Sequence, residues 1–415
     1  MTVTRRIWWG LGIAWLAVIL GLTLRSAPEQ SARVAELPWY CILCGEAGLA
    51  DFILNLILFA PLGLAARALA LPRWRAMAFA VALTVAIETT QARFLVGRDG
   101  SLGDVLSNSA GAVLGWLSYS RLMHLGRPSR SFARAAVAAV LTLTAAIWFA
   151  TGIGLRPSLS AEAPWIGQLQ HQWPGHDAFP GKIDSVEING VQVPNDPLDR
   201  LPTVRDSVEL RVALTRTRPS PRRRVSLVRI VDASGHPQVS MTGVGTELDA
   251  ELQLRASRWG FHTPQWAFPG AMEVSPGSRA QVVTRWTGNR VSMTTVDGAG
   301  AVSVAHSHPL SIALGWVFIH PFVLLVGTNA TFWNCVWLVW WFGLLGWVAG
   351  ALSWRAAALA AGVQSATLIV AAALTGTAWH ANELLVAIAA AGLTAAAARI
   401  RARASHAPRR PISSG

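Results

Sequence analysis

The chain reads as a polytopic α-helical membrane protein of about eight spans, with an extracytoplasmic antiparallel β-sandwich inserted after the fifth. Three observations predict this. Hydrophobic residues make up 52% of the 415 residues and charged ones only 14%. Apolar runs close to the ~20 residues that cross a bilayer recur toward both ends of the sequence. Between them the stretch 157–308 is polar, and it carries alternating residues and turn signals instead.

The expected spans are 7–24, 51–71, 76–93, 104–122, 134–154, 332–352, 356–376 and 381–398. Residues 1–30 form an N-terminal anchor. Arg5 and Arg6 precede an apolar core too long, and a Ser26-Ala27-Pro28 flank too weak, for a cleaved signal peptide. Residues 31–123 make a transmembrane core, and 124–156 a cytoplasmic loop with the fifth span. The stretch 309–328 contains Gly315 and His320-Pro321, so it reads as an interfacial or re-entrant segment rather than a ninth span. Residues 329–398 form a three-helix membrane region, and 399–415 a basic cytoplasmic tail.

Arginine placement sets the orientation. The net charge of +13 comes from arginine, with Lys182 the single lysine. Arg5, Arg6, Arg73, Arg75, Arg121, Arg127, Arg130, Arg134, Arg355 and the tail arginines fall on one side if there are eight spans. By the positive-inside rule that side is the cytoplasm, and both termini lie there. The expected partner is the bilayer itself, with the 20 Trp suited to headgroup anchoring. No motif or basic-aromatic pattern supports nucleic acid.

The polar residues within the first spans carry the chemistry. Asp51 and Asn55 open the second span, Asp104 and Asn108 open the fourth, and Glu88 and Gln91 close the third. Because the third span runs the opposite way, all converge on the outer leaflet, beside a loop holding Arg93, Arg98 and Asp99. Asp104, Asn108, Gly111 and Gly115 share one helix face, and Gly111-x-x-x-Gly115 invites close packing. Asp51, Asn55, Phe59 and Gly63 step by four along the second span, which Pro61 kinks.

This ordered set, Asp51-x3-Asn55-x3-Phe59-x-Pro61-x-Gly63, Glu88-x2-Gln91, Arg98 and Asp104-x3-Asn108-x2-Gly111-x3-Gly115, resembles the VanZ-like integral membrane family over about residues 40–123. The resemblance implies a cell-envelope role linked to teicoplanin-type glycopeptide resistance, without naming a reaction. The inserted part looks like a concanavalin A-like, laminin-G-type jelly-roll sandwich, carried by His171-Gln-Trp173, Phe179-Pro-Gly181-Lys-Ile183 and Val186-Glu-Ile-Asn-Gly190.

Three readings of the membrane cluster stand side by side. The first is a binding site for a cell-wall or lipid-linked saccharide, in which amides donate and accept and Arg98 grips an anionic group. The second is a membrane enzyme acting on such a lipid through Glu88, Asp51 and Asp104, with Glu88 as acid or base or the three carboxylates holding a divalent cation. The third is a structural lock satisfying the backbone that Pro61 frees. No activated Ser or Cys nucleophile accompanies the cluster.

For the sandwich, a lectin-like role would need exposed rings, and Trp173, Trp259, Trp266 and Trp286 are the candidates. A protein-interaction scaffold is the alternative. Cys41 and Cys44, just before Asp51, read as a disulfide or a pair of thiols shaping the loop. His171, His176, His306 and His308 lack an established metal-ligand spacing, and the sequence names no cofactor.

Overall fold

The computed structural model describes residues 3–26, 38–43, 45, 47–96, 100–125, 128–161, 163–171, 176–198, 207–218, 223–320, 325–327 and 329–404. Among them are eight long helices: α1 Val3–Thr23, α2 Gly48–Ala68, α3 Arg73–Phe94, α4 Leu102–Leu125, α5 Arg130–Gly154, α6 Ala330–Gly350, α7 Trp354–Thr375 and α8 Ala381–Ala404. By length and composition six of them can cross a membrane. The two that fall short are α3 and α4, because Glu88, Gln91, Asp104 and Asn108 dilute their apolar character. Hydropathy therefore singles out six spans, not the eight expected.

The chain divides into two compact units. The first comprises Met1–Tyr119, Ile153–Leu310 and Val317–Gly327, and the second Ser120–Gly152, Ser311–Trp316 and Thr328–Gly415.

In the first unit, Ile19 of α1, Phe59 and Leu62 of α2, and Ile87 of α3 bury one another, with Trp15, Leu20, Leu58 and Leu83 packed around them. Trp8 meets Tyr119 edge-on, tying α1 to α4. The same unit holds two sheets. One orders β13 (Leu325–Val326), β9 (Gln265–Phe268), β8 (Glu247–Leu252), β7 (Pro237–Val244), β6 (Val225–Val231), β1 (Trp165–Leu169) and β4 (Pro197–Leu198). The other orders β12 (Val302–Pro309), β11 (Arg290–Asp297), β10 (Arg279–Trp286), β5 (Val208–Arg216), β2 (Gly181–Ile188) and β3 (Val191–Gln192). Every ladder is antiparallel except β13 on β9.

Alternation explains the burial. In β5 every second residue, from Val208 to Arg216, is buried, as period-two geometry requires of a strand with one face in a core. The Asn189-Gly190 turn joins β2 to β3 with both residues at positive φ, 48° and 79°, the conformation that selects Asn-Gly in tight hairpins. Cross-sheet bonds fasten the layers: Gln170 Nε2 donates to Gly181 O at 2.7 Å, and Arg216 Nη1 to Met272 O and Val274 O at 2.8 Å.

The stretch 309–328, expected to be interfacial or re-entrant, has two described elements. It forms a 3-10 turn, Ile312–Phe318, and then β13, which extends the seven-stranded sheet. Ile312, Ala313, Leu314 and Val317 are buried in protein, so their apolar character needs no lipid to explain it.

In the second unit, Trp148 of α5, Leu338 and Phe342 of α6, Leu368 and Ala371 of α7, and Ala387 of α8 share one core. Helices α6 and α8 approach closely: a Cβ on Gly346 would lie 2.2 Å from Ala391 O, and one on Gly350 2.5 Å from Ala395 Cα. Ser353 caps α7 by accepting from Ala356 N, and Gly376, at φ 74°, ends it.

Candidate functional site

Helices α2 and α4 touch backbone to backbone. A Cβ on Gly63 would fall 1.9 Å from Ala112 O, one on Gly111 2.4 Å from Leu56 O, and one on Gly115 1.9 Å from Ala60 O. Only glycine fits at all three positions. Pro61 has no N–H to donate, and nearby the Trp15 indole of α1 donates to Leu58 O at 2.7 Å.

This close approach brings polar side chains of three helices together. Asn55 Nδ2 donates to Asp104 Oδ1 at 2.5 Å, joining α2 to α4. Asn108 Nδ2 donates to Thr84 Oγ1 at 2.8 Å, joining α4 to α3. Glu88 Oε2 accepts from Ser101 N at 3.0 Å, and Gln91 Nε2 donates to Thr23 O, at the end of α1, at 2.9 Å. Glu88 and Gln91 are therefore committed to holding neighbouring chain. Asn108 is only 2% exposed, and its Oδ1 has no protein hydrogen-bond partner, nor has the buried Ser109 Oγ. Such atoms are rare in a purely structural network. Asp51 sits on the rim, its side chain 59% exposed. Among the described residues no three His, Cys, Asp or Glu side chains gather as a cation site. Arg98 and Asp99 lie outside the described residues.

The loop before α2 packs on the start of α4. Leu102 N donates to Trp39 O at 2.8 Å, and a Cβ on Gly103 would lie 2.3 Å from Ile42 O. Cys41 is disulfide-bonded, Cys44 lies outside the described residues, and Cys335 is a free thiol.

Sequence reasoning missed three participants. Thr84 stands one turn before Glu88, on the same stripe of α3, so periodicity alone would have found it. Ser101 accepts from Gly103 N through Oγ at 3.0 Å, a start signal legible three residues before Asp104. His262, from the chain between β8 and β9, had no such signal. Its Nε2 lies 3.7 Å from Asp51 Oδ1.

The aromatic candidates on the sandwich separate cleanly. Trp266 and Trp286 are fully buried in the sandwich interior, so neither can present a ring to a sugar. Their inward alternation on β9 and β10 makes them core residues. Trp259 is 41% exposed, and Trp173 lies outside the described residues. A polar groove of about 350 Å³ is lined by Ser160, Asp232, Ser234, His236, Gln253 and Arg258, with Ala161. Its Asp232 is occupied in the turn, accepting from Ser234 N, His236 N and Gln238 Nε2. His308 Nε2 lies 2.8 Å from Ala267 O and serves the sheet.

The second unit holds a buried carboxylate that the sequence reading overlooked. Glu383 Oε1 accepts from Asn334 Nδ2 at 2.9 Å and Oε2 from Ser311 Oγ at 3.3 Å, while Trp316 Nε1 donates to Asn334 Oδ1 at 2.8 Å. Glu383 is the only Asp or Glu after Asp297. An acid in an otherwise apolar stretch is itself a signal.

Residues 12–124 match the sequence model of a family described as VanZ/LLP1. The match takes in most of α1, all of α2 and α3, the polar cluster and nearly all of α4. The sandwich and α5–α8 lie beyond it. No curated protein and no solved structure matches the chain.

Proposed function

We propose that this is a VanZ-like cell-envelope membrane protein whose α2–α4 cluster binds the polar headgroup of a lipid-linked saccharide at the outer leaflet. In this reading the chain spans the membrane eight times, both termini are cytoplasmic, and the sandwich is extracytoplasmic. The arginine distribution supports that orientation, and the family match supports the envelope setting.

The observation that carries the binding reading is the incomplete pairing of the cluster. A lock matches most of its buried polar atoms. Here Asn108 Oδ1 and Ser109 Oγ are buried and unmatched by protein. Carboxylate and amide oxygens in this arrangement suit a ligand rich in hydroxyl donors.

The test is a lipid titration of the full chain in detergent, followed by native mass spectrometry, comparing glucosyl diacylglycerol with diacylglycerol. Preference for the sugar-bearing lipid is expected. Replacing Asn108 by Leu, similar in volume but without the carbonyl, should weaken that preference roughly tenfold. Equal binding of the two lipids would remove the reading. Reduced teicoplanin susceptibility of cells expressing the chain is the cellular outcome it expects.

A further inference from the structure

Strand β8 carries the run Glu247-Leu-Asp249-Ala-Glu251. Its ladders with β7 and β9 run without a bulge, and Glu251 lies opposite both Ser240 and Gln265. Side chains along it therefore alternate strictly. Leu248, Ala250 and Leu252 are buried in the sandwich core, and the three acids share the other face. Glu247 and Glu251 are partly exposed there. Asp249 between them is 2% exposed, and neither of its oxygens has a protein hydrogen-bond partner. Arg224 Nη2 stands 3.1 Å from its Oδ2 as an ion pair. Burial, and after it the charge of Glu247, push the Asp249 pKa up to about 6 against the pull of Arg224. At neutral pH such a group weakens the fold, and acids of this kind gather where protons are transferred. Polar side chains extend the face across the sheet. Gln168 of β1, Arg229 of β6, Ser240 of β7, Glu251 of β8 and Gln265 of β9 stand opposite one another on five neighbouring strands. At ~4.8 Å per strand the row is about 19 Å long. Gln265 Nε2 and Ser240 Oγ both donate to Glu251 Oε2, at 3.1 and 3.3 Å, which orients that carboxylate on the row.

We propose that this face of the sandwich hydrolyses glycosidic bonds in a polysaccharide, with Glu247 and Glu251 as the catalytic pair and Asp249 as a positioning residue between them. This goes beyond the headgroup site and does not depend on it. Amide, hydroxyl and carboxylate groups in a row suit the hydroxyls of an extended sugar chain. Hydrolysis of a glycosidic bond needs two carboxyl groups flanking it. The Cα atoms of residues four apart on a strand lie about 13 Å from each other, a gap that two glutamate side chains narrow to the span of one scissile bond and a water. Glu251, oriented by its two donors, takes a proton from the water as the water oxygen bonds to the anomeric carbon. Glu247, in its acid form, gives a proton to the leaving oxygen as the carbon–oxygen bond breaks. Solvent carries the proton gained by Glu251 back to Glu247, so water is the one co-reactant consumed. Asp249 is too buried to touch substrate. It acts through Glu247, because its protonation near pH 6 changes the charge that this neighbour faces.

The test incubates the full chain in detergent with borohydride-reduced laminarin, dextran and peptidoglycan, and counts new reducing ends. At least one of the three should be cut. Glu247→Gln and Glu251→Gln, which keep size and remove the acid, should each slow cleavage by roughly a hundredfold or more. Thermal unfolding of each variant shows whether the sandwich is intact. Asp249→Asn separates folding from chemistry. It should unfold at a higher temperature than the parent at pH 7, yet lose the break near pH 6 in the parent's rate profile. No new reducing ends from any of the three glycans, above a control without the chain, overturns the proposal. So does cleavage at the parent rate by either glutamine variant. Saturable binding of a glycan without cleavage overturns it too, and leaves the row as a recognition surface. None of these results bears on the lipid preference that tests the membrane cluster.

Discussion

Asp249 and Glu383 are two buried acids with different surroundings. Asp249 lies within β8, with Arg224 Nη2 3.1 Å from its Oδ2. Burial pushes its pKa up to about 6, against the pull of Arg224. A carboxyl raised above its unfolded value binds a proton more readily when folded, so the fold gains stability as pH falls from about 7 toward 4. Thermal unfolding of the sandwich should shift upward over that range. Asp249→Asn should abolish the shift and raise stability at pH 7 by at most about 3 kcal/mol. A pH-independent parent would contradict this. Glu383 instead accepts from Asn334 and Ser311. Glu383→Gln should be tolerated, whereas Glu383→Leu leaves buried donors unmatched and should lower stability by roughly 2–4 kcal/mol, read as a lower unfolding temperature in detergent.

Among the elements, the α2–α4 pair depends on glycine at the contact. Gly115→Ala places a methyl 1.9 Å from Ala60 O, so the helices must part. The expected loss is about 2 kcal/mol or more. Gly21→Ala in α1 is the control, since nothing lies within 4 Å of the added carbon; it should be neutral or slightly stabilising. The junction of α2 with the sandwich is equally specific: Leu49 N and Ala50 N both donate to Gly260 O, at 3.0 Å. Gly260→Val should speed amide exchange at Leu49 and Ala50 while the amides of β5 stay protected. Unchanged exchange at Leu49 and Ala50 would show that the Gly260 carbonyl does not cap the helix.

For the whole molecule, the proposed eight-span topology makes a labelling prediction. A cysteine at Ser234, in the turn between β6 and β7, should react with an impermeant maleimide in intact cells. One at Arg403 should react only after permeabilisation. The reverse pattern would invert the topology. All eight long helices correspond to apolar runs visible in the sequence, and Asn189-Gly190 announced its hairpin, because hydropathy and turn chemistry are properties of neighbouring residues. The strands β1, β7 and β9 carried weaker signals: β7 opens on Pro237, and β9 is a four-residue piece.

What required the folded chain were pairings across long separations. Periodicity placed Asn55, Glu88, Asp104 and Asn108 on helix faces, but it could not say that Glu88 would hold Ser101 N while Asn108 Oδ1 would stay unmatched. It marked Trp266 and Trp286 as aromatic without deciding which way β9 and β10 would face. It read 309–328 as interfacial or re-entrant, but it could not show that Ile312, Ala313, Leu314 and Val317 would be buried in protein. His262 and Asp51 are separated by some two hundred residues, and only the seating of the sandwich loop on α2 brings them within 3.7 Å. Hydrophobic pattern and charge are summed along the chain, and so are legible in one dimension. Satisfaction of individual buried polar atoms depends on which surfaces meet, and that is settled by packing in three.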